Sequence, residues 1–204
     1  MEERWIASDS GRAYVDRRWR SRGARNRDPR LLSGLLQRHL SNPQVQQVLD
    51  VPCGTGRLQE TLERFGPVTA MDVSRSMLTQ RSSQRPGLQG DAWCMPFQDG
   101  RFELVVSCRL LHHVADPGRR ADLVRELCRV SRGWVLASFW DARCWHAWRR
   151  RQGRRRANHP DARVAVARGQ LEADFEAAGA RVIDYRSSLR WITPQTWLLA
   201  RIRG

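Results

Sequence analysis

The chain has 204 residues, 41% of them hydrophobic and nine of them Trp, with a formal net charge of +15 from 36 basic and 21 acidic side chains. That length holds one α/β domain with a sizeable core and hardly two, and the composition excludes wholesale disorder, collagen-like repeats and a disulfide miniprotein. Every basic residue is Arg, and +10 of the +15 falls in two stretches: residues 1–30, with nine Arg and five acids, and 144–163, with seven Arg and one acid.

Residues 1–40 read as an N-terminal helical lid, in which Leu31, Leu32, Leu35, Leu36 and Leu40 make an apolar stripe. A strand is expected at 46–51, then a helix over 57–65 with Leu58, Leu62 and Phe65 on one face. The run 67–73 is a second strand, and a helix from Ser74 turns Met77 and Leu78 inward. Residues 103–107 form a short buried strand. Asp116-Pro117 then starts a helix carrying Leu123, Leu127 and Val130 at helical spacing. Another strand spans 133–140, a helix spans 169–180 with Leu171, Phe175 and Ala178, and two strands close the chain. Alternation at this spacing favours a parallel sheet wrapped by helices on both faces, and the final pair of strands suggests one antiparallel edge strand. Residues 141–168, long and basic, sit at the carboxyl end of a central strand, where open α/β sheets bind ligands. One domain is therefore expected over 1–204: lid 1–40, cofactor-binding core 41–140, basic insert 141–168, and C-terminal helix and strands 169–204.

The five Cys contain no CxxC pair and the five His no HExxH or paired-ligand spacing, so free thiols and no metal site are expected. The start lacks a secretory h-region, and no apolar run nears the roughly 20 residues of a membrane span. A soluble cytoplasmic protein is the expectation.

The chemistry concentrates in Val48-Leu49-Asp50-Val51-Pro52-Cys53-Gly54-Thr55-Gly56-Arg57, a strand passing through a Gly-containing turn into a helix. Gly54 and Gly56 let the backbone approach a ligand, and the helix start offers free N–H groups. Asp72 ends the next strand 18 residues after Gly54, close to the roughly 20-residue offset at which an acid reaches a bound ribose.

Those residues, with AMDVSRSML (70–78) and GDAWCMPFQDGRFELVVSCRLLHHVADP (90–117), resemble the class I S-adenosylmethionine-dependent methyltransferases, within their ubiquinone/menaquinone-methyltransferase-like (type 11) group. The resemblance is strong over 45–140 and continues in 169–203. It implies a Rossmann-like, doubly wound, mostly parallel seven-stranded sheet with an antiparallel C-terminal edge strand and helices on both faces. It implies S-adenosyl-L-methionine as cofactor, with Asp50, Cys53, Gly54 and Gly56 around its methionine end and Asp72 on the ribose hydroxyls. Val73 and Met77 would pack on adenine, Asp91-Ala92 would read its edge, and Ser107 and Cys108 would border the sulfonium. Pro52 stands where that group usually has its first loop Gly, so the loop is shaped differently here.

Methyl transfer needs a general base only when the acceptor must lose a proton, as a phenol or acidic carbon does. His112 and His113 follow the strand ending near Cys108; one reading makes either the base, the other has both packing the loop before Asp116-Pro117. Nucleobase chemistry loses weight, because Cys108 sits in Ser-Cys-Arg and no Asn/Asp-Pro-Pro-aromatic loop is present. The insert CWHAWRRRQGRRR (144–156) admits three readings: a solvated face over the substrate pocket, an anionic membrane contact, or an RNA contact. Tyr14, Arg17, Arg18, Trp19 and Arg20 are candidates for the other half of a lid. The function expected is methyl transfer to O or C of a small, quinone-like lipophilic acceptor; an RNA methyltransferase and a non-catalytic interaction module are the alternatives.

Overall fold

The computed structural model describes residues 22–40, 45–81, 86–144, 163–187 and 195–203, with side chains from residue 27 onward. The lid candidates Tyr14 to Arg20 and the Trp and Arg residues of 145–156 lie outside the described residues.

The elements are α1 (Arg22–His39), β1 (Val48–Asp50), α2 (Gln59–Glu63), β2 (Val68–Asp72), α3 (Arg75–Leu78), β3 (Leu88–Gln89), β4 (Phe102–Ser107), a 3₁₀ turn (Leu111–His113), α4 (Pro117–Arg129), β5 (Ser131–Trp140), α5 (Arg168–Ala177), β6 (Ala180–Ser187) and β7 (Gln195–Ile202). The strands form one seven-stranded sheet in the order β3-β2-β1-β4-β5-β7-β6. Neighbours from β3 to β5 pair in parallel, and β7 runs antiparallel to both β5 and β6. The antiparallel strand expected at the edge thus sits one place in, and β6 holds the edge.

Side-chain alternation along the inner strands feeds two cores, one per sheet face. Phe102 and Val105 of β4, Val135, Ala137 and Phe139 of β5, and Leu198 and Ala200 of β7 pack with Leu123 and Leu127 of α4 and Leu171 and Phe175 of α5. Their neighbours Leu104, Val106, Leu136, Trp197 and Leu199 face the other way and meet α1 and α2 through Leu32, Leu35, Leu36 and Leu62. The Leu stripe of the N-terminal segment is therefore buried cover for the sheet. Asp116 caps α4 by accepting the Arg119 N–H at 2.7 Å, with Pro117 in the first turn where its missing donor costs nothing.

This topology puts the strand ends Asp50, Asp72 and Ser107 on one rim. Between β1 and β4, the strand order reverses direction of growth, which opens a crevice at that rim.

Candidate cofactor site

The crevice is a cavity of about 410 Å³. Its walls come from the β1–α2 loop, the end of β2, the turn after β3, and the segment from Cys108 to Arg119. Of the residues singled out from sequence, Asp50, Cys53, Gly54, Asp72, Val73, Met77, Asp91, Ala92, Cys108 and His113 line it. Gly56, Ser107 and His112 are not in the wall. Gly56, at φ +80, packs under the Arg81 side chain; Ser107 is fully buried; His112 is 1% exposed and stacks on Trp140 at 5.2 Å.

The β1–α2 loop is anchored by main-chain bonds on either side of Pro52, which has no N–H of its own. Val51 N–H donates to Val106 O and Cys53 N–H to Met71 O, both at 2.9 Å. Gly54 has φ +54, and a Cβ there would meet nothing within 4 Å, so the backbone stands open to the cavity. Gly54 N–H donates to Asp72 Oδ2 at 2.7 Å, and Ser74 N–H to Oδ1 at 2.8 Å. Two amides therefore aim the Asp72 carboxylate and leave lone pairs on both oxygens for hydroxyl donors. Burial raises the Asp72 pKa, against the pull of those amides and of Arg81.

Asp50 is 1% exposed, and neither carboxylate oxygen has a hydrogen-bond partner. Burial pushes its carboxyl up to about 7, Arg81 and Arg57 draw it down, and Asp72 pushes it up. A buried carboxyl left without donors at the edge of a cavity suits a cationic or donor-bearing ligand. At the far sheet edge, Asp91 accepts the Trp93 N–H at 3.0 Å, and the Trp93 indole N–H donates to Arg119 O at 2.9 Å. The Arg119 guanidinium lies 5.1 Å from the Trp93 ring, clasping the β3 turn to α4.

Asp28 of α1 is fully buried behind the cavity residues Arg57 and Arg109. It accepts from Arg57 at 2.9 Å, from Arg109 at 3.2 and 3.0 Å, and from the Trp197 indole at 3.3 Å. Burial alone would raise the Asp28 pKa, but Arg109 and Arg57 overcome it and hold the carboxyl below the ordinary range. Arg109 has φ 65, a rare conformation for a residue with a side chain, held by its N–H bond to Ser138 Oγ at 2.7 Å and by Asp28. Arg57 also donates to Cys108 Sγ at 3.3 Å, and burial pushes that thiol up to about 11. His113 lies beside Leu110 in the same wall, its ring 4.4 Å from that of His112. The His112 carbonyl accepts the Val164 N–H at 2.8 Å, fixing the pair from the insert side.

Asp28, Arg57, Arg81 and Arg109 were not assigned roles from sequence. Asp28 is the lone acid beside a Leu stripe, and Arg57 directly follows the Gly-containing turn; both are readable hints. Arg109 carries no such signal, because nothing in Cys-Arg-Leu marks a positive φ.

The residues present fit S-adenosylmethionine. Asp50 offers an unpartnered carboxyl to a cationic amino-acid end, Gly54 offers open backbone, and Asp72 is set for two hydroxyls. Residues 49–136 match a family model described as a methyltransferase domain. The chain is 34% identical over 112 residues to a ubiquinone biosynthesis O-methyltransferase of Albidiferax ferrireducens, covering 49% of this chain and 43% of that protein. It is 35% identical over 91 residues to a demethylmenaquinone methyltransferase of Renibacterium salmoninarum, covering 43% and 37%. The chain thus spans less than half the length of either relative. In fold it matches magnesium protoporphyrin IX methyltransferase from Synechocystis with bound S-adenosylhomocysteine, at TM-score 0.74, 13% identity and 98% and 100% coverage. A methyltransferase from Archaeoglobus fulgidus that depends on S-adenosylmethionine matches at TM-score 0.67 and 14% identity over 95% and 100%.

Proposed function

We propose, from the premise that residues 49–136 are a methyltransferase domain of the S-adenosylmethionine-dependent class, that this chain methylates an oxygen or carbon of a small, lipophilic, quinone-like acceptor. One observation carries the cofactor half of this reading: the fully buried Asp50 carboxyl without donors, beside the amide-held carboxylate of Asp72 in one cavity. The printed names of the two curated relatives support the acceptor class.

When bound, S-adenosylmethionine supplies a methyl group on a positively charged sulfur that is already an activated leaving group. The protein's part is then alignment and exclusion of water. Asp72 would accept from the ribose hydroxyls, Asp91 would read the adenine edge, and Val73 and Met77 would pack on its face. Asp50 and the Gly54 backbone would take the amino-acid end, with Cys108 near the methyl. His113 would accept the acceptor's proton, since it is the histidine of the pair that reaches the cavity wall. His112, stacked on Trp140, would hold the His113 ring in place.

A cytoplasmic location belongs to the same reading: Cys53, Cys94, Cys108, Cys128 and Cys144 are all free thiols. Among the described residues no helix is long and apolar enough to cross a membrane.

Titration calorimetry with S-adenosylhomocysteine tests the cofactor half. Wild type should bind in the micromolar range and Asp72→Ala should not; a folded wild type that releases no heat overturns the reading. Incubation with methyl-labelled S-adenosylmethionine and a hydroquinone tests the acceptor half, and label recovered on any other class of molecule in place of the hydroquinone would refute it.

A further inference from the structure

Arg81 follows α3 and is not part of the cavity wall, yet its side chain closes on the loop that is. One terminal nitrogen donates to Cys53 Sγ at 3.0 Å and the other to Gln59 Oε1 at 2.8 Å. Its stem lies 3.7 Å from where a side chain on Gly56 would begin. Both partners are neutral: an amide does not titrate, and burial pushes the Cys53 thiol up to about 12. Among the described residues no carboxylate forms an ion pair with Arg81, and its Nε is buried without a hydrogen-bond partner. The guanidinium is always charged, so its positive charge is left facing the loop.

The carboxylates that feel this charge are Asp50 and Asp72, whose ionised forms it favours. Around Asp50 the charged and titratable groups are Arg81 after α3, Arg57 at the start of α2, Asp72 at the end of β2, and the thiols of Cys53 and Cys108. Both thiols stay neutral below pH 9, and the Arg57 charge is offset by Asp28 at 2.9 Å. Arg81 is the cation of the set that binds only neutral groups.

We propose that Arg81 is a positioning residue that clamps the Cys53–Gly56 loop from behind and supplies the positive charge that lets Asp50 ionise as a cationic cofactor enters. The proposal rests on reading the cavity as the S-adenosylmethionine site. It makes cofactor affinity depend on pH through a residue that touches no ligand.

The experiment is calorimetry of S-adenosylhomocysteine binding to the full chain from pH 6 to pH 9. Wild-type affinity should rise with pH through the ionisation of Asp50, and Asp50→Asn should flatten that rise. Arg81→Met should move the midpoint up by about one pH unit, costing about fivefold in affinity near pH 7 and about tenfold near pH 6, and recovering toward pH 9. Arg81→Lys keeps the charge while losing the two-pronged contact, and should keep the wild-type midpoint. It also serves if the Met variant does not fold: a shifted midpoint in Arg81→Lys overturns the proposal. So does an Arg81→Met variant whose affinity is unchanged, or is reduced equally at every pH, as a purely mechanical clamp would give. Absence of wild-type binding at any pH removes the cofactor reading itself, a different failure from a profile that Arg81 does not move.

Discussion

Asp50→Asn should make the ligand-free protein more resistant to unfolding at pH 8 while changing its response to acid. In the fold the carboxyl titrates near 7, because it is buried without a donor; unfolded, it returns to about 3.8. The folded chain therefore holds a proton between those values that the unfolded chain has released. Stability is fully present below pH 3.8, declines as pH rises toward 7, and is flat above. A shift of about three units at about 1.36 kcal/mol each corresponds to ~4 kcal/mol, a large share of the roughly 5–15 kcal/mol of a typical domain. Asn cannot titrate, so its variant lacks this decline. Urea unfolding of both proteins at half-unit steps from pH 4.5 to 8.5 yields the difference directly, free of the other carboxylates they share. A difference that stays constant within about 1 kcal/mol across that range would refute the argument.

Asp28→Ala leaves the Arg57 and Arg109 guanidiniums without the carboxylate they share, and should lower unfolding free energy by about 3–5 kcal/mol, read by chemical denaturation. Gly54→Ala should fold with about 1–2 kcal/mol of backbone strain from its φ of +54, yet lose S-adenosylhomocysteine binding at least tenfold, because the new methyl stands in the cavity. Undiminished binding would show that the loop does not contact the ligand. His113→Ala should lower kcat by about a hundredfold or more toward an acceptor that must lose a proton, with cofactor affinity kept. An equal kcat for wild type and variant excludes His113 as base.

Much of the architecture was readable because burial imposes period. The stripes of α4 and α5 recur in the structure, α5 ending three residues before its expected bound, and the apolar runs of β4, β5 and β7 recur within two residues of theirs. What escaped was short or non-local. β3 is two residues long and both are exposed, so no hydrophobic signal marks it. The helix after β1, expected over 57–65, is Gln59–Glu63, and the helix expected from Ser74 is capped there and runs only Arg75–Leu78. At the site, the ligand-facing positions were legible because a turn that needs glycine and a strand that ends in an acid leave local traces. Asp28, Arg81 and Arg109 act on residues 22 to 169 positions away, and separation of that kind leaves no local pattern.

The placement of β7 bears on how the chain is assembled. β6 is made first but borders the sheet only through β7, so it has no docking partner until residues 195–202 exist. Until then β5 presents a ten-residue open edge whose alternate side chains are apolar, a surface on which another nascent chain could pair. The β6–β7 hairpin must arrive as a unit, and with it the Trp197 indole that completes the Asp28 cluster. Synthesis from the N-terminus therefore leaves the sheet waiting on β7 after β6 is made, and deleting residues 195–202 would take away an inner seam.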